Sequence, residues 1–149
     1  MISRFEHFST SISCISRYIQ RIERMEMEKY GLKGPHAQCL LVMSRYPEGI
    51  TAARLCEVCD KDKAAVSRIV AELEEKGMLR RVCPNGQRYR AVLQLTSEGE
   101  AAAVHVEQRA RCAVEEASEG MTEAQRNIMY AALDLIAENL QTICNRGLK

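Results

Sequence analysis

The sequence predicts a mainly α-helical protein with a small β-hairpin. Apolar residues recur every three to four positions near both ends of the chain, which is the period of an amphipathic helix. Between these segments, Asn85-Gly86 separates two stretches with strand-like alternation, and this dipeptide is typical of a tight hairpin turn. With 149 residues, 46% of them apolar, the chain is expected to form one domain, residues 1–149, with its own core.

The first helix is predicted from Phe5 to about Lys29, where Gly31 ends it. Its apolar residues follow steps of three and four, an average period of 3.5 that is typical of helix–helix seams. Because so short a chain has little surface to cover a long seam, we expect a second copy of the chain to do so. The residues of this helix assigned to dimerisation are Phe5, Phe8, Ile12, Ile15 and Ile19.

Three shorter helices are predicted in the middle of the chain. Gly34-Pro35 begins the first of them, since proline is favoured in the first helical turn. Thr51 is the expected N-cap of a helix over residues 52–58, and Asp62 of a helix over residues 63–76 that Gly77 closes. The last of these helices is apolar on one face, through Val66, Ile69, Val70 and Leu73.

After Gly77 the period changes from that of a helix to that of a strand. Residues 79–83 and 89–95 are predicted strands joined by Pro84-Asn85-Gly86. Their outward positions include Arg88 and Arg90, so the expected element is a two-stranded ribbon with a basic edge.

Two further helices are predicted at the end of the chain. Ser97-Glu98-Gly99-Glu100 has the spacing of a capping box and opens a helix that extends to about Ser118. Thr122 and Gln125 repeat that spacing before the last helix. Its seam follows steps of four and three, and the residues assigned to dimerisation are Leu133, Ile136 and Leu140.

The charge is distributed unevenly although the net charge is +1. Residues 61–96 carry eight basic and four acidic side chains, whereas residues 97–149 carry five and nine. Within 76–96 there are five basic residues and no acidic one. A local basic surface on a nearly neutral chain favours an anionic partner such as the DNA backbone.

The order helix, tight turn, helix, basic hairpin is that of a winged helix-turn-helix. We therefore predict a winged-helix DNA-binding lobe over residues 34–96, flanked by N- and C-terminal dimerisation helices in a lobe formed by residues 1–33 and 97–149. Small and flexible polar residues at the start of the second helix would let it approach base edges, and Arg68 would reach a guanine edge or a phosphate. The predicted DNA-binding residues are Thr51, Lys63, Ala64, Ala65, Ser67, Arg68, Arg88 and Arg90.

Four segments of the sequence together resemble the multiple-antibiotic-resistance regulator (MarR) family. The resemblance implies a homodimeric transcription regulator, usually a repressor, that binds pseudo-palindromic operators on double-stranded DNA. It also implies that Lys63 to Arg68 head the recognition helix and that Leu79 to Leu95 form the wing. The segments are Leu55-Cys56-Glu57, Asp62 to Arg68, Leu73 to Arg81, and Leu95 to Gly99.

The wing departs from the family pattern. Family members usually carry Asp-x-Arg at the positions that Gln87 and Tyr89 occupy here, and the arginines of this chain lie one step to either side, at Arg88 and Arg90. Minor-groove contact by these arginines is thus a hypothesis, based on the negative potential of a narrow minor groove.

Effectors in the family that the sequence resembles include phenolic carboxylates, peroxides or metals. A small aromatic effector would fit near Arg17, Tyr18, His36 and Cys39, because Arg17 pairs with a carboxylate and Tyr18 stacks. An oxidant effector would act on Cys14 in the first helix, although this residue is about one turn out of register with the peroxide-sensing cysteine of the family.

Two other functions are compatible with parts of the sequence. Cys56 and Cys59 form a C-x-x-C, so a thiol oxidoreductase is an alternative, but these residues lie inside a helical pattern without a preceding strand. The basic hairpin would also suit an RNA- or protein-interaction module. The sequence favours a regulator that is not an enzyme.

No cofactor is expected, and no set of residues has the spacing of a metal site. With seven cysteines, no signal peptide and no apolar run that would span a membrane, we expect a cytoplasmic protein with reduced thiols and no membrane partner.

Overall fold

The computed structural model describes residues 3–86 and 91–148 and confirms the mainly α-helical fold class. Six α-helices and three short strands are present among these residues, and all of them except the first strand, which was not predicted, follow the predicted order. The helices are α1 (Arg4–Glu28), α2 (Gly34–Ser44), α3 (Ala52–Cys59), α4 (Lys63–Glu75), α5 (Ser97–Ala117) and α6 (Glu123–Arg146), and the strands are β1 (Ile50–Thr51), β2 (Leu79–Val82) and β3 (Val92–Leu95). The chain divides into two compact units, residues 1–114 and residues 115–149.

The core of the first unit is built around α2. Six of the eleven residues of this helix are buried, because α1, α3, α4 and β3 all pack against it. The side chains of Met27, Leu40, Leu55, Leu73 and Leu93 come from five different elements and are each almost entirely excluded from solvent. Burial of such side chains is the main stabilising contribution to this unit.

The sheet has three strands, where the sequence predicted a two-stranded ribbon. β3 lies in the middle and pairs antiparallel with β2 on one side and with β1 on the other. β1 pairs Ile50 with Leu93. The ribbon prediction was incomplete because a two-residue strand is too short to show alternation, and its pairing depends on a contact distant in sequence. The first two residues of the predicted second strand, 89 and 90, lie outside the described residues.

The N-cap of α5 is Thr96, one residue before the serine that the sequence predicted. Thr96 Oγ1 accepts the backbone N–H of Gly99 at 3.2 Å and donates to the carbonyl of Gly77 at 2.6 Å. The predicted Ser97–Glu100 capping box is therefore wrong. Thr96 also fixes the junction between β3 and the turn that follows α4.

Gly99 lies where no side chain fits. A Cβ at this position would stand 2.0 Å from the carbonyl oxygen of Met78 and 3.3 Å from a methyl group of Leu95. The absence of a side chain lets α5 begin directly against the backbone at the start of β2.

A charged cluster joins the end of α1 to α5. The Glu26 carboxylate accepts from Lys29 Nζ at 2.7 Å, from His105 Nε2 at 3.0 Å and from Arg109 Nε at 3.5 Å. The hydrogen bond from Lys29, followed by that from His105, lowers the pKa of Glu26 from about 4.5 to about 2. The Tyr30 ring meets the His105 ring edge-on, with 6.0 Å between centroids.

The second unit, residues 115–149, is formed mainly by α6. Thr122 caps this helix through a capping box with Gln125, as the sequence predicted. Arg126 donates to the Ser118 carbonyl at 3.2 Å and holds the preceding turn. None of the described residues of α6 is buried in the single chain.

Candidate nucleic-acid interface

The helix pair α3 and α4 is set by two side-chain caps and a tight turn. Thr51 Oγ1 accepts the backbone N–H of Arg54 at 3.2 Å, and Asp62 Oδ1 accepts that of Ala65 at 2.7 Å. Between them Asp60 adopts a left-handed conformation with φ 50°, which turns the chain within three residues. Both predicted caps are thus present in the structure.

Helix α4 has one buried face and one exposed face. Val66, Val70 and Leu73 are at most 2% exposed, so the apolar face is fixed in the core. The opposite face is left to solvent at its N-terminal end. There the structure places Lys63, Ala64, Ser67 and Arg68 as exposed residues and Ala65 as a half-buried one.

A groove of about 530 Å³ runs beside this exposed end. It lies between the start of α3, the first half of α4 and strand β2. Lys63 and Arg81 place positive charge in its lining, whereas small side chains such as Ala52 and Ala53 keep it open. Thr51, predicted as a phosphate contact, is exposed at the N-terminus of α3 next to these alanines.

Arg81 is a candidate DNA contact. It belongs to the basic segment 76–96 but is not among the DNA-binding residues predicted from the sequence. Its Nε atom pairs with a Glu74 carboxylate oxygen at 3.3 Å, so β2 is tied to the recognition-helix candidate α4. Both side chains are 43% exposed, which keeps the guanidinium accessible to an anion. The signal in the sequence was the pair Arg80-Arg81, whose members point to opposite sides of a strand.

The base of the hairpin is held by a hydrogen-bond chain across all three strands. Arg80 donates through two nitrogens to Gln94 Oε1 at 3.2 and 3.3 Å, and Gln94 donates to the carbonyl of Glu48, just before β1, at 3.1 Å. The predicted wing arginines Arg88 and Arg90, with Gln87 and Tyr89, lie outside the described residues. Minor-groove contact by the wing therefore stays a prediction.

Comparison with known proteins agrees with this geometry. The model of the MarR family matches residues 30–88, which contain α2 to α4 and β2. Solved structures of MarR-family regulators superpose over nearly the whole chain. A regulator from Methanosarcina mazei Go1 has a TM-score of 0.79 at 23% identity, covering 93% of this chain and 92% of that one. The fold is that of the MarR family.

Two further structures extend the comparison. A MarR-family regulator from Silicibacter pomeroyi has a TM-score of 0.76 at 20% identity, with 93% of this chain and 92% of that chain covered. A putative MarR-family regulator from Listeria monocytogenes, solved in complex with a 26mer DNA, has a TM-score of 0.75 at 22% identity, with 94% and 95% covered. No curated protein sequence matches significantly. The resemblance drawn from the sequence motifs is confirmed.

The four residues predicted to bind a small aromatic effector have different environments in this MarR fold. Arg17 and Tyr18 are exposed on α1, with the guanidinium 5.8 Å from the centre of the Tyr18 ring. His36 and Cys39 are buried in α2, and both ring nitrogens of His36 are engaged, with Glu72 and with the backbone N–H of Lys33. Neither His36 nor Cys39 offers a free polar atom to an effector, so these two assignments are not supported by the contacts.

Cys14, the predicted oxidant-sensing residue, is half-buried on α1. It lines a shallow depression with Glu6, His7 and Ser11, and Arg17 donates to its sulfur at 3.8 Å. An oxidant role for Cys14 stays a prediction.

The C-x-x-C pair lies inside α3, as the sequence indicated. Burial raises the pKa of Cys59, whose sulfur faces Cys39 rather than solvent. A redox C-x-x-C begins a helix, where the dipole lowers the pKa of the first thiol, whereas Cys56 is the fifth residue of α3. This environment disfavours the oxidoreductase alternative.

Both predicted dimerisation seams are uncovered in the single chain. On α1, Phe5 is 76% and Ile15 is 57% exposed. On α6, Leu140 is 50% exposed. Among the other seam residues, Phe8, Ile12 and Leu133 are exposed, whereas Ile19 and Ile136 are half-buried.

None of the described helices is both long enough and apolar enough to span a bilayer. Among the described residues, no group of three or more His, Cys, Asp or Glu side chains could hold a metal ion.

Proposed function

We propose that this protein is a DNA-binding transcription regulator of the MarR type, which binds a pseudo-palindromic operator as a homodimer in the cytoplasm and represses transcription. The observation that carries the proposal is the N-terminal end of α4. This end presents Lys63, Ala64, Ser67 and Arg68 to solvent while the other face of the helix is fixed in the core. A helix end with small and basic exposed residues fits the width of the major groove.

Positive charge around this end supports the same proposal. Lys63 and Arg81 line the adjacent groove, and Thr51 presents the N-terminus of α3 nearby. Cations and helix N-termini bind phosphates, which position a protein on duplex DNA. The Listeria monocytogenes regulator of the same fold was solved with a 26mer DNA.

The exposed apolar faces of α1 and α6 support the homodimer. Side chains such as Phe5 and Leu140 gain about 25 cal/mol for every Å² of apolar surface that a second chain covers. Two-fold symmetry would place two copies of α4 about 34 Å apart, in successive major grooves. Release of the operator by a small aromatic ligand or an oxidant stays a prediction from the family resemblance.

Fluorescence anisotropy with duplex DNA from the region upstream of the protein's own gene tests DNA binding. We expect sequence-specific binding whose affinity falls steeply with salt, because phosphate contacts release counterions. Arg68→Ala should weaken binding, and the exposed Arg111 on α5 provides a matched control as Arg111→Ala. Equal binding by wild type and Arg68→Ala would contradict the assignment of α4.

The same measurement decides between the two roles open to Arg68. A contact to a guanine edge predicts a loss of about 1–3 kcal/mol that is confined to the operator. A phosphate contact predicts a uniform loss on all duplexes and a salt slope reduced by about 1.

A further inference from the structure

Two buried thiols face each other inside the DNA-binding lobe, and the proposed function does not use them. Cys39 of α2 and Cys59, the last residue of α3, are 0% and 3% exposed, and their sulfur atoms are 3.7 Å apart. Burial, and next the neighbouring Cys59, raises the pKa of Cys39 to about 12. Both thiols are therefore protonated at neutral pH and are poor nucleophiles.

The surroundings of this pair favour a soft cation over a hard one. The positive charge of Lys61 acts on both sulfurs and lowers the pKa of each thiol, although burial outweighs it and keeps both pKa values raised. The described residues provide no group of three or more metal ligands, so zinc, which takes four, does not fit here. A cation that is satisfied by two thiolates fits this donor set, and Cu(I) is the biological cation that soft sulfur ligands select.

Cys56 provides a route from solvent to the pair. It lies one helical turn before Cys59, is half-buried, and lines the open groove between α3 and α4. A thiophilic ion reaching the groove meets this sulfur first and then transfers inward by thiol exchange.

We propose that Cys39 and Cys59 form a two-thiolate binding site for Cu(I). Binding replaces one proton on each sulfur by a metal–sulfur bond and releases two protons to solvent, with no change of oxidation state. The resulting unit carries one negative charge, and the positive charge of Lys61 has the sign that stabilises it.

Occupation of the site would change the contact between α2 and α3. With the zinc–sulfur bond of about 2.3 Å as an upper guide, two metal–sulfur bonds in line span at most about 4.6 Å. The sulfurs must then move apart by up to about 0.9 Å from their present 3.7 Å. Close-packed cores do not absorb such a shift locally. Since α3 is joined to α4 through residues 60–62, the shift is transmitted to the recognition helix, a regulatory role that rests on the proposed function.

Titration of the reduced full-length protein with Cu(I) under anaerobic conditions, against a chromophoric Cu(I) chelator, tests the site. We expect one tight ion per chain and an X-ray absorption spectrum with two sulfur ligands. Cys39→Ser and Cys59→Ser should each weaken binding at least 100-fold, whereas Cys112→Ser/Cys144→Ser, which alters two exposed cysteines, should not.

Cu(I) binding by a variant without both thiols, and competition by Zn(II), test the site further. The double variant Cys39→Ala/Cys59→Ala retains apolar packing, and circular dichroism checks that it folds. Undiminished tight binding by that folded variant, or competition by equimolar Zn(II), would overturn the proposal.

The regulatory role is measured separately on operator DNA. We expect Cu(I) to lower the affinity of the wild type at least tenfold and to leave Cys39→Ala/Cys59→Ala unchanged. Cu(I) binding without any effect on the affinity for DNA would remove the regulatory role. Failure of the metal-free protein to bind DNA would refute the proposed function while the metal site is judged by the titration alone.

Discussion

His36 donates a hydrogen bond from Nε2 to the carboxylate of Glu72 and so links the start of α2 to α4, the proposed recognition helix. The other ring nitrogen, Nδ1, accepts the backbone N–H of Lys33 at 3.3 Å and completes the cap of α2. Because the Lys33 N–H can only donate, Nδ1 is the accepting nitrogen and Nε2 is the one that donates to Glu72. One buried side chain thereby fixes both the beginning of α2 and the orientation of α4.

Replacement of His36 by alanine should destabilise the protein by about 2 kcal/mol, since hydrogen bonds to charged groups contribute about 1.5–3 kcal/mol. Urea denaturation measures the change. Glu72→Gln keeps an acceptor for His36 and serves as the control, with an expected loss below about 1 kcal/mol. Full stability of His36→Ala would show that the link to α4 contributes nothing to folding.

Gly99→Ala should destabilise the protein by more than about 3 kcal/mol, because the new Cβ would stand 2.0 Å from the carbonyl oxygen of Met78. Backbone must move to relieve this overlap, so we expect a large drop in Tm by thermal denaturation. Gly34→Ala is the matched control, since its Cβ would meet the flexible side chain of Arg24 at 3.3 Å and alanine is the better helix former. Similar Tm values for the two variants would contradict the packing at Gly99.

The exposed and buried faces of α4 could be predicted from the sequence because they depend on local periodicity. Val66, Val70 and Leu73 repeat at helical spacing, and the caps Thr51 and Asp62 act on backbone groups three residues away. Interactions of this range are determined by the segment itself.

The features that sequence reasoning missed depend on contacts distant along the chain. Thr96, and not Ser97, caps α5, because the Thr96 hydroxyl also donates a hydrogen bond to the carbonyl oxygen of Gly77. His36 was expected to line an effector pocket, but α2 is covered by several elements, and Glu72 lies 36 positions away. No local pattern contains that information.

Stability at acid pH should depend on Glu26. Its pKa is about 2 in the folded chain and about 4.5 when unperturbed, so its ionised form stabilises the folded state above about pH 4.5. This contribution is lost as the pH falls from 4.5 towards 2. Glu26→Gln should therefore show a flatter dependence of the free energy of unfolding on pH across this window than the wild type.

Denaturant titrations at several pH values between 2 and 7 measure that dependence. Glu28→Gln, which changes an exposed glutamate at the end of α1, is the control and should follow the wild type. Parallel curves for the wild type and Glu26→Gln would show that Lys29, His105 and Arg109 do not hold the carboxylate in its ionised form.

The wing arginines are tested by the double variant Arg88→Ala/Arg90→Ala. If they enter a narrow minor groove, operator affinity should fall about tenfold or more, most strongly for operators with A·T-rich flanks. Gel-shift titrations on operators that differ in these flanks measure this. An unchanged affinity on both operators would remove the wing arginines from the DNA interface.

Dimerisation should depend on the apolar faces of α1 and α6. Ile15→Asp and Leu140→Asp each place a charge on a seam, and desolvation of an unpaired charge opposes its burial against a second chain. We expect light scattering to show monomers, and DNA affinity to fall because a monomer reaches one half-site. Val82→Asp, which alters an apolar residue of β2 that is 37% exposed, should remain dimeric. A dimer that persists in both Ile15→Asp and Leu140→Asp would show that the two copies meet through other surfaces.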